Sequence, residues 1–196
     1  MKSKLYFFVN FLSIFIVSEV FAAKGLVIKL EVTNTAQNII NKNIRVPSGM
    51  NAKQTSHHVT IGYIDANIPD KQMDQLGKQL TQELRREYPK AIRFNVAGAS
   101  LPFRNKNNVI ALIPDNKNKS FLKKVNKKTN DIVKKHHHKL NNLTQPNNYT
   151  PHMTISTKQN DLRFLQRLNS SISLVKKRNI NNELFFNLYF SYTVMK

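Results

Sequence analysis

Two short stretches decide how this chain is interpreted: SHHVTIGYI at residues 56–64 and TPHMTIST at residues 150–157. Both are rich in β-branched and apolar residues, which predicts a β-strand in each. Each contains the tetrad histidine–apolar–threonine–apolar, at residues 58–61 and 152–155. Because successive side chains of a strand point to opposite faces, the histidine and threonine of each tetrad share one face. The candidate site residues are the polar members of the two tetrads: His58, Thr60, His152 and Thr154.

Two imidazoles and two hydroxyls on one surface suit the cleavage of a phosphodiester. Histidine has an ordinary pKa of about 6.5, so one ring can serve as a neutral general base while the other serves as a protonated general acid. The threonine hydroxyls can donate hydrogen bonds to the non-bridging phosphate oxygens, where charge is concentrated in the transition state. This scheme requires neither a metal nor a cofactor, and the residues alone leave open which histidine is the base.

An internal repeat is predicted, because each tetrad strand is followed by a helix. The first helix is predicted at residues 70–87 and the second at residues 161–168, both from apolar residues that recur at intervals of three and four. One tetrad alone is a weak signal. Two tetrads in the same strand–turn–helix context are much harder to obtain by chance.

The other elements follow from the periodicity of the apolar residues and from turn signals. Further strands are predicted at residues 25–33, 91–97, 108–113, 172–175 and 184–194. A long helix is predicted at residues 119–140, and residues 35–53 and 144–148 are predicted to be mostly loop. The alternation of strands and helices predicts an α/β (α+β) fold.

The two tetrads, with Pro151 directly before the second histidine, resemble those of the 2H phosphoesterase superfamily, which includes the 2′,5′ RNA ligases and cyclic phosphodiesterases. The resemblance implies a bilobal fold, with two pseudo-symmetric lobes of mainly antiparallel sheet plus helices around a central cleft. It also implies that His58 and His152 are the catalytic acid–base pair and that Thr60 and Thr154 bind the substrate phosphate.

The activity implied by this resemblance is that of a metal-independent phosphodiesterase, with 2′,5′ RNA ligase activity as a further possibility. The implied bonds are 2′,3′-cyclic phosphates and the 2′,5′-linked or 3′-terminal phosphodiesters of RNA. The implied partner is therefore RNA, an oligonucleotide or a cyclic nucleotide.

Composition and charge agree with a polyanionic partner. The 196 residues include 31 Lys and Arg against 11 Asp and Glu, for a formal net charge of +20. Such an excess favours nucleic acid, an anionic membrane surface or a phosphorylated small molecule. The length excludes a large multidomain enzyme. The absence of cysteine excludes a disulfide framework, cysteine zinc sites, iron–sulfur clusters and a thiol nucleophile.

Residues 1–22 are predicted to be a secretory signal peptide. Lys2 and Lys4 form a positive start, and the apolar run at residues 5–17 is too short to cross a bilayer. We therefore expect an exported protein, periplasmic or secreted, with no stable membrane insertion after cleavage. Residues 23–196 would then form a single bilobal domain, which we expect to be a monomer. An uncleaved anchor is the alternative.

Several other residues have both a functional and a structural interpretation. His57 adjoins the first tetrad but should point to the opposite face, which favours a packing role. The three histidines at residues 136–138 could bind a metal, yet consecutive helical residues diverge around the axis, which favours a solvated basic stretch. Tyr63 and Tyr149 could stack on a base, but aromatic residues of strands are more often core.

The Lys-rich segment and the aromatic residues of the last strand also have both a functional and a structural interpretation. The Lys-rich segment at residues 117–139 is most simply a solvated helix face, with a secondary role in attracting RNA phosphates as the alternative. The aromatic residues of the last strand occupy both faces, which predicts a buried central strand rather than a nucleic-acid platform. They are Phe185, Phe186, Tyr189, Phe190 and Tyr192.

Two functions of other classes remain open. One is a non-catalytic secreted protein that binds RNA or nucleotides, which predicts salt-sensitive binding without turnover. The other is a basic surface protein that binds anionic membrane or polysaccharide, for which the lysines at residues 123–135 would matter and the two histidines would not.

Overall fold

A computed structural model describes residues 24–43, 57–66, 68–102, 109–157, 162–179 and 181–195. Within these ranges the chain forms a mixed α+β fold of six strands and four α-helices. None of the helices found there has both the length and the apolar character needed to cross a membrane. The predicted signal peptide at residues 1–22 lies outside the described residues.

The chain repeats one order of elements, strand–helix–strand–helix–strand. The first half contains β1 (Gly25–Val32), α1 (Asn34–Asn43), β2 (His58–Asp65), α2 (Asp70–Glu87) and β3 (Ile92–Ser100). The second half contains β4 (Val109–Pro114), α3 (Asn116–Lys135), β5 (Met153–Thr157), α4 (Leu162–Arg178) and β6 (Phe185–Met195). A short 3-10 helix, Asn142–Thr144, precedes β5. The predicted internal repeat therefore extends over the whole described chain.

The strands form one closed antiparallel sheet in the order β1-β2-β5-β4-β3-β6. Exchanging the two halves, so that β1, β2 and β3 replace β4, β5 and β6, leaves every one of these pairings unchanged. The third strand of each half pairs with the first strand of the other half, β3 with β4 and β6 with β1. This symmetric pattern of strand pairing confirms the predicted α+β fold with two pseudo-symmetric lobes.

The hydrophobic core lies between one face of the sheet and the helices. Leu30, Val59 and Phe190 occupy that face on three neighbouring strands and are almost completely buried. Helix α2 packs on β1 and β6, α3 packs on β2, and α4 packs on β3. Because side chains alternate along each strand, the polar residues of both tetrads lie on the opposite face of the sheet.

The prediction of loop at residues 35–53 is wrong for its first part, because α1 occupies Asn34–Asn43. The Thr33 side chain accepts a hydrogen bond from the Ala36 amide at 3.2 Å, as expected of a helix cap. Ile40 is buried in the core, and the Gln37 side chain is buried beside the start of β2. These tertiary contacts outweigh the weak helix propensity of an asparagine-rich segment.

The predicted helix at residues 119–140 is displaced, because α3 begins at Asn116 and ends at Lys135. The Asp115 carboxylate caps its first turn by accepting a hydrogen bond from the Asn118 amide at 2.7 Å. His137 then adopts a left-handed conformation with φ of 60°, which reverses the chain. The histidine cluster therefore lies just after the helix rather than along one of its faces.

The predicted strand at residues 172–175 is also wrong, because these residues continue α4 as far as Arg178. Phe164, Leu168 and Ile172 are buried at intervals of four, which is the period of a helix face packed on a sheet. The remaining predicted strands and the helix at residues 70–87 are confirmed where they are described, with ends that differ by a few residues.

Candidate active site

The two tetrad strands meet at a single pair of residues. Val59 of β2 pairs with Met153 of β5 in antiparallel register, and no other pair joins these strands within the described residues. Both side chains are completely buried on the core face. This pair connects the first half of the chain to the second and determines which residues stand beside it on the other face.

The four predicted site residues lie together around this pair. Continuing the antiparallel register by one residue in each direction puts His58 opposite Thr154 and Thr60 opposite His152. Directly opposed residues of such a pair have Cβ atoms about 4.5–5.5 Å apart. All four side chains are partly exposed, whereas their neighbours on the core face are not. Two imidazoles and two hydroxyls therefore alternate around one small patch of the open face.

Both tetrad strands carry a bulge at the same place. The pairing of β2 with β1 skips Ile61, and the pairing of β5 with β4 skips Ile155, so the fourth residue of each tetrad is extra. The Ile61 carbonyl accepts a hydrogen bond from the buried Asn126 side chain at 2.6 Å. Bulges increase local twist and are common beside active sites. Here they bend each strand directly after its threonine.

His152 has a defined orientation. Its Nδ1 donates a hydrogen bond to the Thr150 carbonyl at 2.8 Å, which leaves Nε2 to carry or release the second proton. Burial lowers the pKa of His152 below its ordinary value of 6.5. The hydrogen bond to Thr150 opposes this effect, and the positive charge of His58 adds to it. The neutral form of His152 is therefore favoured, as a general base requires.

His57 has a structural position, as predicted. Its residue is only 6% exposed, and its backbone amide donates to the Gln37 side chain at 2.5 Å. Burial lowers the pKa of its ring, and a hydrogen bond to the Thr154 backbone opposes that shift. His57 thus ties α1 and β5 to the start of β2, and it supports the tetrads rather than joining them.

Sequence reasoning missed a charged pair on the same face. Lys29 of β1 is paired in register with Thr60, and Glu31 is paired with His58. The Lys29 ammonium lies 2.6 Å from the Glu31 carboxylate, and Lys29 is only 8% exposed. The sequence of β1 does contain a signal, because two charged residues alternate with the apolar Leu30. Only the cross-strand register, however, shows which residues of β2 this charged pair adjoins.

The prediction that β6 buries aromatic residues on both faces is wrong. Phe186 and Phe190 are buried, but Phe185 is 44% exposed and Tyr189 is 49% exposed. Tyr189 is paired with Glu31, which is itself paired with His58, so all three lie on the open face. Two strand spacings, about 10 Å, separate Tyr189 from His58. The Arg93 guanidinium lies over the Phe185 ring at 3.7 Å.

The other residues singled out in the sequence have environments of their own and are not part of the four-residue patch. Tyr149 is buried in the core, as expected, and burial raises the pKa of its hydroxyl. Tyr63 is only partly buried and forms a side-chain hydrogen bond with Asp65 at the end of β2. His136 contacts the Glu83 carboxylate at 2.6 Å. Among the described residues, no group of three His, Cys, Asp or Glu side chains is placed to hold a metal ion.

The lysines of α3 lie mainly on its exposed side, as predicted for a solvated face. The helix packs against β2 through apolar residues such as Leu122 and Val133, whereas Lys123 and Lys127 are exposed. Lys128 forms an ion pair with Glu87 at 3.0 Å. A positive helix surface thus covers the back of the strand that carries the first tetrad.

Comparison with known proteins gives a match in structure only. No family model and no curated protein matches the sequence. The structure is similar to that of Kluyveromyces marxianus Usb1 solved with uridine monophosphate, with 14% sequence identity and a TM-score of 0.48. A second structure of Kluyveromyces marxianus Usb1 shows 13% identity and a TM-score of 0.49. Each alignment covers 88% of this chain and 94% of the other.

The environment of His152 predicts an unusual titration. In the free protein, we expect the NMR titration midpoint of its ring to lie below 6.5, because burial disfavours the charged form. In the His58→Gln variant the midpoint should rise, since a neighbouring positive charge has been removed, but it should stay below 6.5. A midpoint at or above 6.5 in the unaltered protein would contradict the described burial of this ring.

Proposed function

We propose that this protein is a metal-independent phosphodiesterase of the 2H type that acts on RNA-type phosphodiesters. The observation that carries the proposal is the Val59–Met153 pair, which brings the two tetrads together on one open face. Their sequences resemble those of the 2H phosphoesterases, and their arrangement provides the two imidazoles and two hydroxyls that this chemistry uses. The substrates proposed are 2′,3′-cyclic phosphates and the 2′,5′-linked or 3′-terminal bonds of RNA.

In this proposal, the phosphate lies over the patch formed by the four side chains. Thr60 and Thr154 donate hydrogen bonds to its non-bridging oxygens. One histidine removes a proton from the attacking oxygen, which is water or a ribose hydroxyl, and that oxygen forms a new bond to phosphorus. The other histidine gives a proton to the departing oxygen as its bond to phosphorus breaks. Proton exchange with water then restores the histidines.

Charge supports a polyanionic substrate. The net charge of +20 attracts phosphates over a long range, and the lysines on the outside of α3 contribute to it. Positive charge alone does not select RNA over another polyanion. The selection rests on the paired acid–base groups, because membranes and polysaccharides need no such pair for binding.

The first test of this function is removal of the four site residues. His58→Ala and His152→Ala should each lower kcat by about 10²- to 10⁴-fold, because each removes a general acid or base. Thr60→Val and Thr154→Val should each cost about 10²-fold by removing a hydrogen-bond donor to the phosphate. Initial rates should be measured on 2′,3′-cyclic nucleotides, 2′,5′-oligoadenylates and 3′-terminal RNA, with circular dichroism to verify folding.

His138→Ala is the matched control, since it removes a histidine that belongs to neither tetrad and lies in the segment directly after α3, and its rate should equal that of the unaltered protein. Retained activity in a His58→Ala/His152→Ala double variant would refute the proposal. Loss of activity on addition of a chelator would refute the metal independence of the reaction.

Salt-sensitive RNA binding without turnover on any substrate would favour the non-catalytic alternative. Loss of function only on charge reversal at residues 123–135 would favour a membrane or polysaccharide ligand.

The exposed Tyr189 predicts a preference for oligonucleotides. Its ring lies one strand beyond Glu31, at a distance that suits stacking on a nucleoside next to the bound phosphate. Tyr189→Ser should therefore lower kcat/KM for a short RNA by about 5- to 100-fold, the equivalent of one stacked base. The same change should leave 2′,3′-cyclic mononucleotides little affected, whereas equal losses on both substrates would exclude stacking on a flanking base. Leu174→Ser, at another exposed apolar position, is the control.

We also propose that the protein acts outside the cytoplasm, after removal of residues 1–22. The support is the charge and length of that segment. When the full chain is expressed with an active secretion pathway, mass spectrometry of the exported product should find Ala23 at its N-terminus. Retention of the segment on a membrane-bound product would favour the uncleaved anchor.

A further inference from the structure

The internal repeat relates the two tetrads to each other. The residues beside them on β1 and β4, the first strands of the two halves, differ in type. In the first half Lys29 faces Thr60, and in the second half Ala111 faces Thr154. Counting two residues along each first strand, the position of Glu31 corresponds to that of Ile113. The first histidine thus adjoins a charged pair where the second adjoins aliphatic side chains.

Register places the carboxylate of this pair beside the first histidine. Glu31 and His58 are direct cross-strand partners, which puts their Cβ atoms about 4.5–5.5 Å apart on the open face. The bulge at Ile61 is needed for this alignment, because without the extra residue Leu30 would pair with Thr60, and Thr60 and His58 would lie on the core face. The bulge therefore determines which residue stands beside His58.

Lys29 fixes the carboxylate. The ammonium is 2.6 Å from Glu31, and its side chain is 11% exposed while that of Glu31 is 29% exposed. A lysine so well buried is found almost only when it is paired. The lysine keeps Glu31 ionised and restricts where its oxygens can lie, so the carboxylate is a fixed negative charge rather than a mobile surface group.

From this geometry we infer that Glu31 is a positioning residue, which orients His58 and keeps its ring protonated so that it serves as the general acid. The role of His58 as a general acid rests on the proposed function, whereas the effect of Glu31 on the protonation of His58 does not. Among the described residues, the charged and titratable groups next to His58 are Glu31 and Lys29 on β1, His57 directly before β2 and His152 directly before β5. Among these Glu31 is the one that carries negative charge. His152, whose Nδ1 donates to the Thr150 carbonyl, is then the base.

Glu31→Gln tests this inference, since it keeps the size of the side chain and removes its charge. A neighbouring carboxylate stabilises the charged imidazolium, so its loss should lower the NMR titration midpoint of His58 by about 1 pH unit. In the profile of kcat/KM against pH, the pKa of the basic limb, which reports loss of the protonated acid, should fall by the same amount. At pH 7.5 the rate should fall about tenfold with KM nearly unchanged, and Glu31→Asp should recover part of the loss.

Glu183→Gln is the matched control, because Glu183 pairs with Arg93 on the surface and should leave the His58 midpoint unchanged. A midpoint that stays in place in folded Glu31→Gln protein would overturn the inference, even if the protein is an active phosphodiesterase. A protein without turnover would overturn the proposed function, yet the His58 titration would still decide the role of Glu31. A lowered melting temperature with no change in midpoint or profile would mean that the ion pair serves stability alone.

Discussion

The candidate site depends on the register between β2 and β5. Val59 and Met153 are paired and completely buried, and the burial of these two side chains fixes which face of each strand is turned outward. A slip of one residue would turn His58 and Thr60 toward the core and Val59 into solvent. The apolar residues of the tetrads therefore specify the positions of the reactive ones. A hydrophobic contact, rather than any polar interaction, brings the two halves of the site together.

Local rules were sufficient to predict the four tetrad residues and the strands that hold them. Side-chain alternation is a property of each strand by itself, so His58 and Thr60 could be assigned to one face without knowledge of the fold. The same reasoning could not find Lys29 or Glu31, since their importance arises from pairing with residues 27 and 31 positions farther along the chain. The register between β1 and β2 depends on a bulge at Ile61, which no sequence pattern predicted.

Errors in the predicted elements have a common physical origin. Helix α1 was missed because its stability comes from Ile40 and Gln37, which pack against distant parts of the chain. The end of α4 was predicted to be a strand because Ile172 and its neighbours have high strand propensity, whereas burial at helical spacing decides the outcome. The exposed ring of Tyr189 was assigned to the core because its strand is aromatic on both faces. For the two helices tertiary contacts outweighed local preference, whereas Tyr189 is exposed because it lies on the open face of the sheet.

The exchange of third strands between the halves has a consequence for how such a chain can arise. Since β3 completes the sheet of the second half and β6 completes that of the first, neither half has a closed set of strand partners of its own. Two identical copies of a half-length chain would satisfy every one of these pairings as a strand-swapped homodimer, with one tetrad from each copy. Such a dimer must give both histidines the same surroundings. Joining the copies into one chain removes that restriction, and it allows Glu31 to face one histidine while an aliphatic residue occupies the matching position in the other half.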